Sequence, residues 1–143
     1  MDATNAFVLD GSVTMVWGFD DEANTYAEAI LDKMPDLQAH VPSLWPLEVA
    51  NVLIVGERRK RITSADAARF LAILSAFPIA VDDQTVAHAW SDTMHLARAH
   101  NLSAYDASYL ELAIRLGLPL AALDGKLKTA AQAMGVPLFD PEA

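Results

Sequence analysis

The chain contains no cysteine, and this one absence excludes several kinds of chemistry. Disulfide bonds, zinc–thiolate sites and thiol nucleophiles all depend on cysteine. Long apolar runs are also absent, since no stretch approaches the roughly 20 apolar residues that a membrane-spanning helix needs. The first residues, Met1 to Asn5, lack the basic start and the long apolar core of a signal peptide. We therefore expect a cytoplasmic protein that does not associate with a membrane.

Basic residues are scarce, with 10 Lys and Arg against 19 Asp and Glu and a net charge of −9. This balance argues against a general affinity for phosphate backbones, so any contact with a nucleic acid must use local basic groups. The candidates are Arg58, Arg59 and Arg61, in one dense basic run, and Lys126. The run has two open interpretations: it contacts a polyanion, or its cations stabilise the C-terminal end of a helix through the helix dipole.

The apolar pattern predicts an α/β fold in a single domain that spans residues 1–143, 53% of which are hydrophobic. Short strands that are apolar throughout alternate with helices, as in a parallel sheet covered on both faces. Strands are predicted at 7–9, 38–41, 79–81 and 120–123, with Leu138-Phe139 as a candidate edge strand. Helices are predicted at 12–18, 22–34, 43–60, 63–77, 85–100, 103–116 and 126–134. Five of these helices are assigned caps, which are Ser12, Ser43, Thr63, Asp83 and Ser103.

Four acidic residues lie at the ends of, or inside, the most apolar segments: Asp10, Glu48, Asp106 and Asp124. An isolated carboxylate costs several kcal/mol to bury, so it usually neutralises, pairs or binds a cation. Asp10 and Asp124 each end a predicted strand, and parallel strands place such residues on the same edge of the sheet. Glu48 and Asp106 lie near the N-terminal ends of helices, where the dipole favours negative charge. Asp106 has a simpler explanation as well, a capping box with Ser103.

The chemistry of these four residues indicates a hard divalent cation. Carboxylate oxygens without His or Cys select Mg²⁺ or Mn²⁺ over zinc or copper. A cation of this kind activates water and neutralises charge on phosphate, so hydrolysis of a phosphodiester is the natural reaction class. None of the four histidines is expected to join a metal site. The three tryptophans, Trp17, Trp45 and Trp90, are expected in the core, and Trp17 and Trp45 have the mouth of the site as an alternative position.

Four motifs, taken in order and spacing, resemble the PIN-domain ribonucleases, and most of all the VapC toxins of bacterial toxin–antitoxin pairs. They are Val8-Leu9-Asp10-Gly11-Ser12-Val13, Pro46-Leu47-Glu48-Val49-Ala50-Asn51-Val52-Leu53, Ser103-Ala104-Tyr105-Asp106-Ala107-Ser108-Tyr109 and Leu123-Asp124-Gly125-Lys126-Leu127. The resemblance implies a three-layer α/β/α domain around a parallel sheet of four to five short strands. It also implies an endoribonuclease that depends on Mg²⁺ or Mn²⁺, a cognate antitoxin protein and a homodimer.

The resemblance also implies roles for individual residues. Asp10 and Asp106 are the expected principal metal ligands, with Glu48 acting directly or through water and Asp124 as the fourth acid. Ser12 has two interpretations, a plain helix cap or a hydroxyl that orients Asp10 or a metal-bound water, and Asn51 is expected to hold Glu48. Two alternatives remain: a phosphatase with Asp10 as its nucleophile, disfavoured because residue 12 is Ser and not Asp, and a module of the same fold that binds RNA or protein without cleaving.

Overall fold

Four parallel strands form the centre of the computed structural model, which describes residues 5–19 and 21–143. The strands are β1 (Ala6–Leu9), β2 (Gln38–Val41), β3 (Ile79–Val81) and β4 (Leu120–Ala121), and their order in the sheet is β3-β2-β1-β4. This arrangement confirms the predicted α/β class and the parallel sheet. Residues 1–4, on which the argument about a signal peptide partly rested, lie outside the described part of the chain.

Helices flank the sheet and connect its strands. They are α1 (Gly11–Gly18), α2 (Thr25–Lys33), α3 (Trp45–Arg58), α4 (Ser64–Ala76), α5 (Thr85–His88), α6 (Met94–His100), α7 (Ala104–Leu116) and α8 (Gly125–Ala133). A 3₁₀ turn, Met34–Asp36, follows α2, and a π-helical turn, Ala89–Thr93, joins α5 to α6. Within the described residues, no helix is both long and apolar enough to cross a membrane.

The core forms around β1, whose residues Phe7, Val8 and Leu9 are fully buried. Helix α7 packs against β1 and β4, while α1 contacts α2 and α3. Burying side chains of this size stabilises the fold by about 1.5–3 kcal/mol each. The strand ends that lead to the acidic residues are therefore anchored in the best-packed part of the molecule.

Strand β4 is shorter than predicted, since it ends at Ala121 rather than at Leu123. Beyond Ala121 the chain leaves the sheet, and the Leu123 N–H donates to the Ser12 hydroxyl at 3.0 Å instead of to a strand carbonyl. The prediction that Asp124 ends a strand is therefore wrong. The candidate edge strand at Leu138-Phe139 is reduced to a single bridge between Leu120 and Leu138.

Several predicted helix caps are replaced by neighbouring residues. Asp10, not Ser12, is the N-cap of α1, and Asn24 caps an α2 that begins three residues later than predicted. Helix α3 begins after Leu44 without a side-chain cap, so the assignment to Ser43 is wrong. The cap assigned to Asp83 is also wrong, because Asp82 accepts the N–H of Gln84. The caps at Thr63 and Ser103 are confirmed.

The three tryptophans divide between the interior and the surface. Trp45 is buried, and its indole N–H donates to Thr14 Oγ1 at 3.0 Å. Trp17 is partly buried and donates to the carbonyl of Ala27 at 2.8 Å. Trp90 is 92% exposed on the π-helical turn, so the expectation that it belongs to the core is wrong.

Candidate active site

The order of the strands reverses at β1, because the chain runs from β1 outward to β2 and β3 and then returns to β4 on the other side. In parallel sheets, ligands bind beyond the carboxyl ends of strands at such a reversal. Asp10 directly follows β1, and its backbone N–H donates to the carbonyl of Ala121 at 2.9 Å. The first acidic residue thus lies at the point where this topology favours a ligand site.

Asp10 is only 4% exposed and is held by Ser12. Its carboxylate accepts hydrogen bonds from the Ser12 N–H at 3.2 Å and from the Ser12 hydroxyl. The same hydroxyl oxygen accepts from the Leu123 N–H at 3.0 Å. Ser12 therefore orients Asp10 and links it to the segment that leads to Asp124, while the cap itself is provided by Asp10.

Glu48 reaches the same region from the first turn of α3, where it is half-buried. Its Oε1 accepts a hydrogen bond from the Tyr109 hydroxyl at 2.5 Å. Asn51, which was expected to hold Glu48, is exposed and makes no side-chain hydrogen bond to it among the described residues. The sequence prediction missed Tyr109, although its spacing of three residues from Asp106 places both on one face of α7.

Asp106 lies in the first turn of α7 and is half-buried. Its backbone N–H donates to Ser103 Oγ at 3.0 Å, so the capping interpretation holds. The pKa of Asp106 is raised overall, because burial and the charge of Asp124 outweigh two opposing effects. These are a hydrogen bond with Ser103 and the charge of Lys126, which both lower the pKa. Asp106 thus caps its helix and also belongs to the acidic group.

Asp124 is the most exposed of the four acids. It is the N-cap of α8, and its carboxylate accepts the Leu127 N–H at 3.1 Å. The negative charge of Asp124 raises the pKa of Asp106, so the two carboxylates interact. Although all four acids adjoin apolar segments of the sequence, Asp10 is buried, Glu48 and Asp106 are half-buried, and Asp124 is exposed.

The acids repel one another electrostatically. Burial, and to a lesser extent the charges of Asp106 and Glu48, raise the pKa of Asp10 from 3.8 to about 6. Burial and the charge of Asp106 also raise the pKa of Glu48. In the part of the chain that the structure describes, no Lys, Arg or His side chain forms an ion pair with any of the four acids.

This donor set suits a hard divalent cation, since it consists of carboxylate oxygens whose charge has no basic partner. Within residues 5–19 and 21–143, no three of the four acids bring oxygens to within 4.8 Å of one another. A cation bound among these carboxylates would offset their mutual repulsion.

A second group, from α5, the π-helical turn and α7, does have that spacing: atoms of His88, Asp92 and Glu111 lie within 4.8 Å of one another. None of the four histidines was expected to join a metal site, yet His88 lies beside two carboxylates. Glu111 is only 3% exposed, but Arg115 binds it at 2.7 and 3.0 Å, and Arg115 also binds Asp82 at 3.0 and 2.8 Å. This group is therefore an ion-pair network in which Arg115 provides the positive charge.

The four predicted nucleic-acid contacts occupy different places. Arg61 pairs with Asp21 at 3.0 Å and with Glu22 at 2.7 Å, and its guanidinium lies 4.4 Å from the ring centroid of Phe19. Its interactions are therefore structural.

Arg58 and Arg59 are exposed at the C-terminal end of α3, which lies about 15 Å along the helix axis from Glu48 at about 1.5 Å per residue. Lys126 alone of the four lies beside the acids, close enough to lower the pKa of Asp106.

Comparison with known proteins agrees with this geometry. A family model described as PIN domain matches residues 7–133. Ribonuclease VapC3 of Pyrobaculum aerophilum is 30% identical over 130 residues, which cover 91% of this chain and 98% of that protein.

Two solved structures share the fold. PAE2754 from Pyrobaculum aerophilum superposes with a TM-score of 0.65 and 25% identity, covering 90% of this chain and 87% of that one. VapC20 of Mycobacterium tuberculosis, a toxin that cleaves the sarcin-ricin loop, superposes with a TM-score of 0.62 and 18% identity, covering 87% and 94% of the two chains. The chain therefore belongs to the PIN-domain family.

Proposed function

We propose that the chain is a Mg²⁺- or Mn²⁺-dependent endoribonuclease and the toxin of a toxin–antitoxin pair. The observation that carries the proposal is Asp10, a buried carboxylate at the reversal point of the sheet, beside two further acids and without a basic partner. A buried charge of this kind is stabilised when a cation binds. The similarity to Ribonuclease VapC3 over nearly the whole chain supports RNA as the substrate, and such a substrate is consistent with a cytoplasmic site of action.

The proposed ligands of the cation are Asp10 and Asp106, with Glu48 acting directly or through water and Asp124 as the fourth acid. When bound, a divalent cation activates water and neutralises charge that develops on the phosphate and the leaving oxygen. Ser12 keeps the Asp10 carboxylate in place through two hydrogen bonds. The expected products carry 5′-phosphate and 3′-hydroxyl ends.

Lys126 is the proposed contact for the substrate backbone nearest to the acids. Its amine donates to the carbonyl of Asn101 at 3.3 Å, next to the loop that precedes α7. Arg58 and Arg59 are proposed to contact more distant phosphates, while Arg61 is engaged with Asp21 and Glu22. Because the chain as a whole carries −9, these local cations must provide the attraction for RNA.

The same acidic site supports a protein antitoxin as the second partner. An arginine-bearing segment inserted among the acids would gain charge-assisted hydrogen bonds and block access of RNA. A homodimer is proposed through α3 and α4, where Ile54, Leu71 and Ile73 are each 43–50% exposed. Light scattering tests this assembly, because Ile73→Glu should convert a dimer into a monomer, whereas Val86→Glu, at an exposed residue outside α3 and α4, should not.

RNA cleavage by the purified, partner-free protein tests the nuclease. We expect cleavage with Mg²⁺ or Mn²⁺, none with EDTA, and a loss of at least about 100-fold in Asp10→Asn and Asp106→Asn. Asp36→Asn is the matched control, since Asp36 is an exposed acid on the 3₁₀ turn. Full activity of Asp10→Asn, or activity that survives EDTA, would contradict the assignment. Growth arrest without RNA cleavage, retained in Asp10→Asn, would instead indicate the non-cleaving binding module.

A further inference from the structure

Tyr109 is a buried residue that contacts the candidate site without belonging to the acidic set. It lies on α7 with 1% exposure, and its hydroxyl donates to Glu48 Oε1 at 2.5 Å. Among the described residues this is the only side-chain hydrogen bond that Glu48 receives. The bond joins α3 to α7, and its two residues are 61 positions apart in the sequence.

Gly11 lies beside this hydrogen bond. A Cβ atom at Gly11 would lie 3.4 Å from the Tyr109 hydroxyl and 3.6 Å from Glu48 Oε1. The pair therefore lies directly against the backbone that follows Asp10. Because Tyr109 is three residues after Asp106, one face of α7 carries both a proposed ligand and the group that holds another.

The chemistry of the pair is directional. A phenol at neutral pH has one hydrogen to donate, and an ionised carboxylate is a pure acceptor, so the bond fixes one oxygen of Glu48. A hydroxyl buried to this degree is costly to leave without an acceptor, which favours retention of the bond. The second oxygen, Oε2, receives no side-chain donor among the described residues and stays available for a cation or its water.

We propose that Tyr109 is a positioning residue that acts through Glu48, setting its carboxylate for metal binding in the proposed nuclease. The inference rests on the proposed function and deepens it, because it names the group that fixes the third acid. Without the hydroxyl, Glu48 would rotate about its side-chain torsions in a half-buried, negatively charged setting. The metal site would lose pre-organisation rather than a ligand.

Tyr109→Phe tests the proposal, because it removes the hydroxyl and keeps the ring. We expect the dissociation constant for Mn²⁺, measured by calorimetry or by the EPR signal of free Mn²⁺, to rise about 10- to 100-fold. The turnover number should fall at subsaturating metal, while KM for RNA stays within about twofold. A merely structural tyrosine would lower the unfolding midpoint without changing the Mn²⁺ affinity, and that outcome would overturn the proposal.

Two matched tyrosines provide controls. Tyr26 is partly buried and donates to the Phe139 carbonyl at 2.6 Å, so Tyr26→Phe removes a comparable hydrogen bond away from the acids. Tyr105 lies on the same helix beside Asp106 but is 67% exposed. Both Phe variants should bind Mn²⁺ like the wild type. An equal loss of affinity in either control would contradict a specific role for Tyr109.

A double-substitution cycle tests whether Tyr109 acts through Glu48. In a Glu48→Ala background, Tyr109→Phe should cause no further loss of Mn²⁺ affinity, whereas a loss as large as in the wild type would refute the mechanism. Glu48→Asp keeps the charge but withdraws the carboxylate from the hydroxyl, so it should reproduce the loss even where Tyr109→Phe folds poorly. Absence of RNA cleavage by the wild type would refute the proposed function, while the Mn²⁺ titrations would still decide the role of Tyr109.

Discussion

Asp10→Asn should make the metal-free protein more stable at neutral pH while abolishing the proposed activity. The pKa of Asp10 is raised from 3.8 to about 6, and Asp10 is 4% exposed. A difference of about two pKa units corresponds to about 3 kcal/mol. This figure is the extra cost of ionising the side chain in the folded protein relative to the unfolded one.

The sign of the pH dependence follows from the direction of the shift. A carboxyl group whose pKa is higher when folded binds its proton more tightly in the folded state, so stability is lost as pH rises from about 4 to about 6. Above that range the full penalty applies. Asn keeps an oxygen that accepts the Ser12 N–H but carries no charge. Because the raised pKa of Asp10 already includes the effect of the hydrogen bonds from Ser12, the expected net gain above pH 7 is about 3 kcal/mol.

Urea unfolding in EDTA, compared at pH 7.5 and near pH 4, measures this effect. Asp10→Asn should be the more stable protein at pH 7.5, and the difference should vanish near pH 4. Saturating Mn²⁺ should shrink or reverse the difference, because only the wild type gains the full free energy of metal binding. An Asp10→Asn protein that is less stable than the wild type at pH 7.5 without metal would refute the reasoning, as would a difference that does not change with pH.

Three further predictions address other parts of the molecule. Arg115→Met should destabilise the fold by about 3–5 kcal/mol in thermal or urea unfolding, because it leaves the buried Glu111 carboxylate without its cation; a change below 1 kcal/mol would contradict this. Gly56→Ala should cost about 1–3 kcal/mol, since its Cβ would lie 2.8 Å from the ring of Phe19, and an unchanged unfolding midpoint would refute the clash. Lys126→Ala should weaken RNA binding and lower the slope of affinity against salt by about one unit in filter-binding titrations; an unaltered slope would remove Lys126 from the interface.

The sequence predicted three of the four strands closely. Residues 7–9 and 79–81 are short apolar runs that end before an aspartate, residues 38–41 end before a proline, and the structure places strands at all three. The fourth run, 120–123, is equally apolar but forms only a two-residue strand. Its end is set by the Ser12 hydroxyl, which comes from more than a hundred positions away. A local pattern contains no information about such a partner.

The sequence identified the acidic residues of the candidate site but did not predict how deeply each of them is buried. Asp10 and Asp124 both precede glycine after an apolar run, yet one is buried and the other caps a helix at the surface. Glu111 met the same criterion, an acid inside an apolar helix, and was overlooked. Its cation, Arg115, follows one turn later on the same helix and was visible in the sequence.

The prediction for Asn51 failed for a related reason. One helical turn separates Asn51 from Glu48, which makes a hydrogen bond plausible from spacing alone. The fold supplies a better donor from α7, since Tyr109 points into the same space from the interior. Tertiary contacts of this kind depend on which helices meet, and the apolar pattern does not encode that.

The strand order also has a consequence for synthesis of the protein. β1, near the start of the chain, completes its pairing only when Leu120–Ala121 arrives, 112 positions after Val8 in the register. Until then one edge of the central strand is unpaired and Ser12 lacks its Leu123 donor. Long-range pairing of this kind forms late. A chain that has not yet reached Leu123 therefore lacks one of the contacts around Ser12 and Asp10, so the candidate site is completed only after most of the sequence has been made.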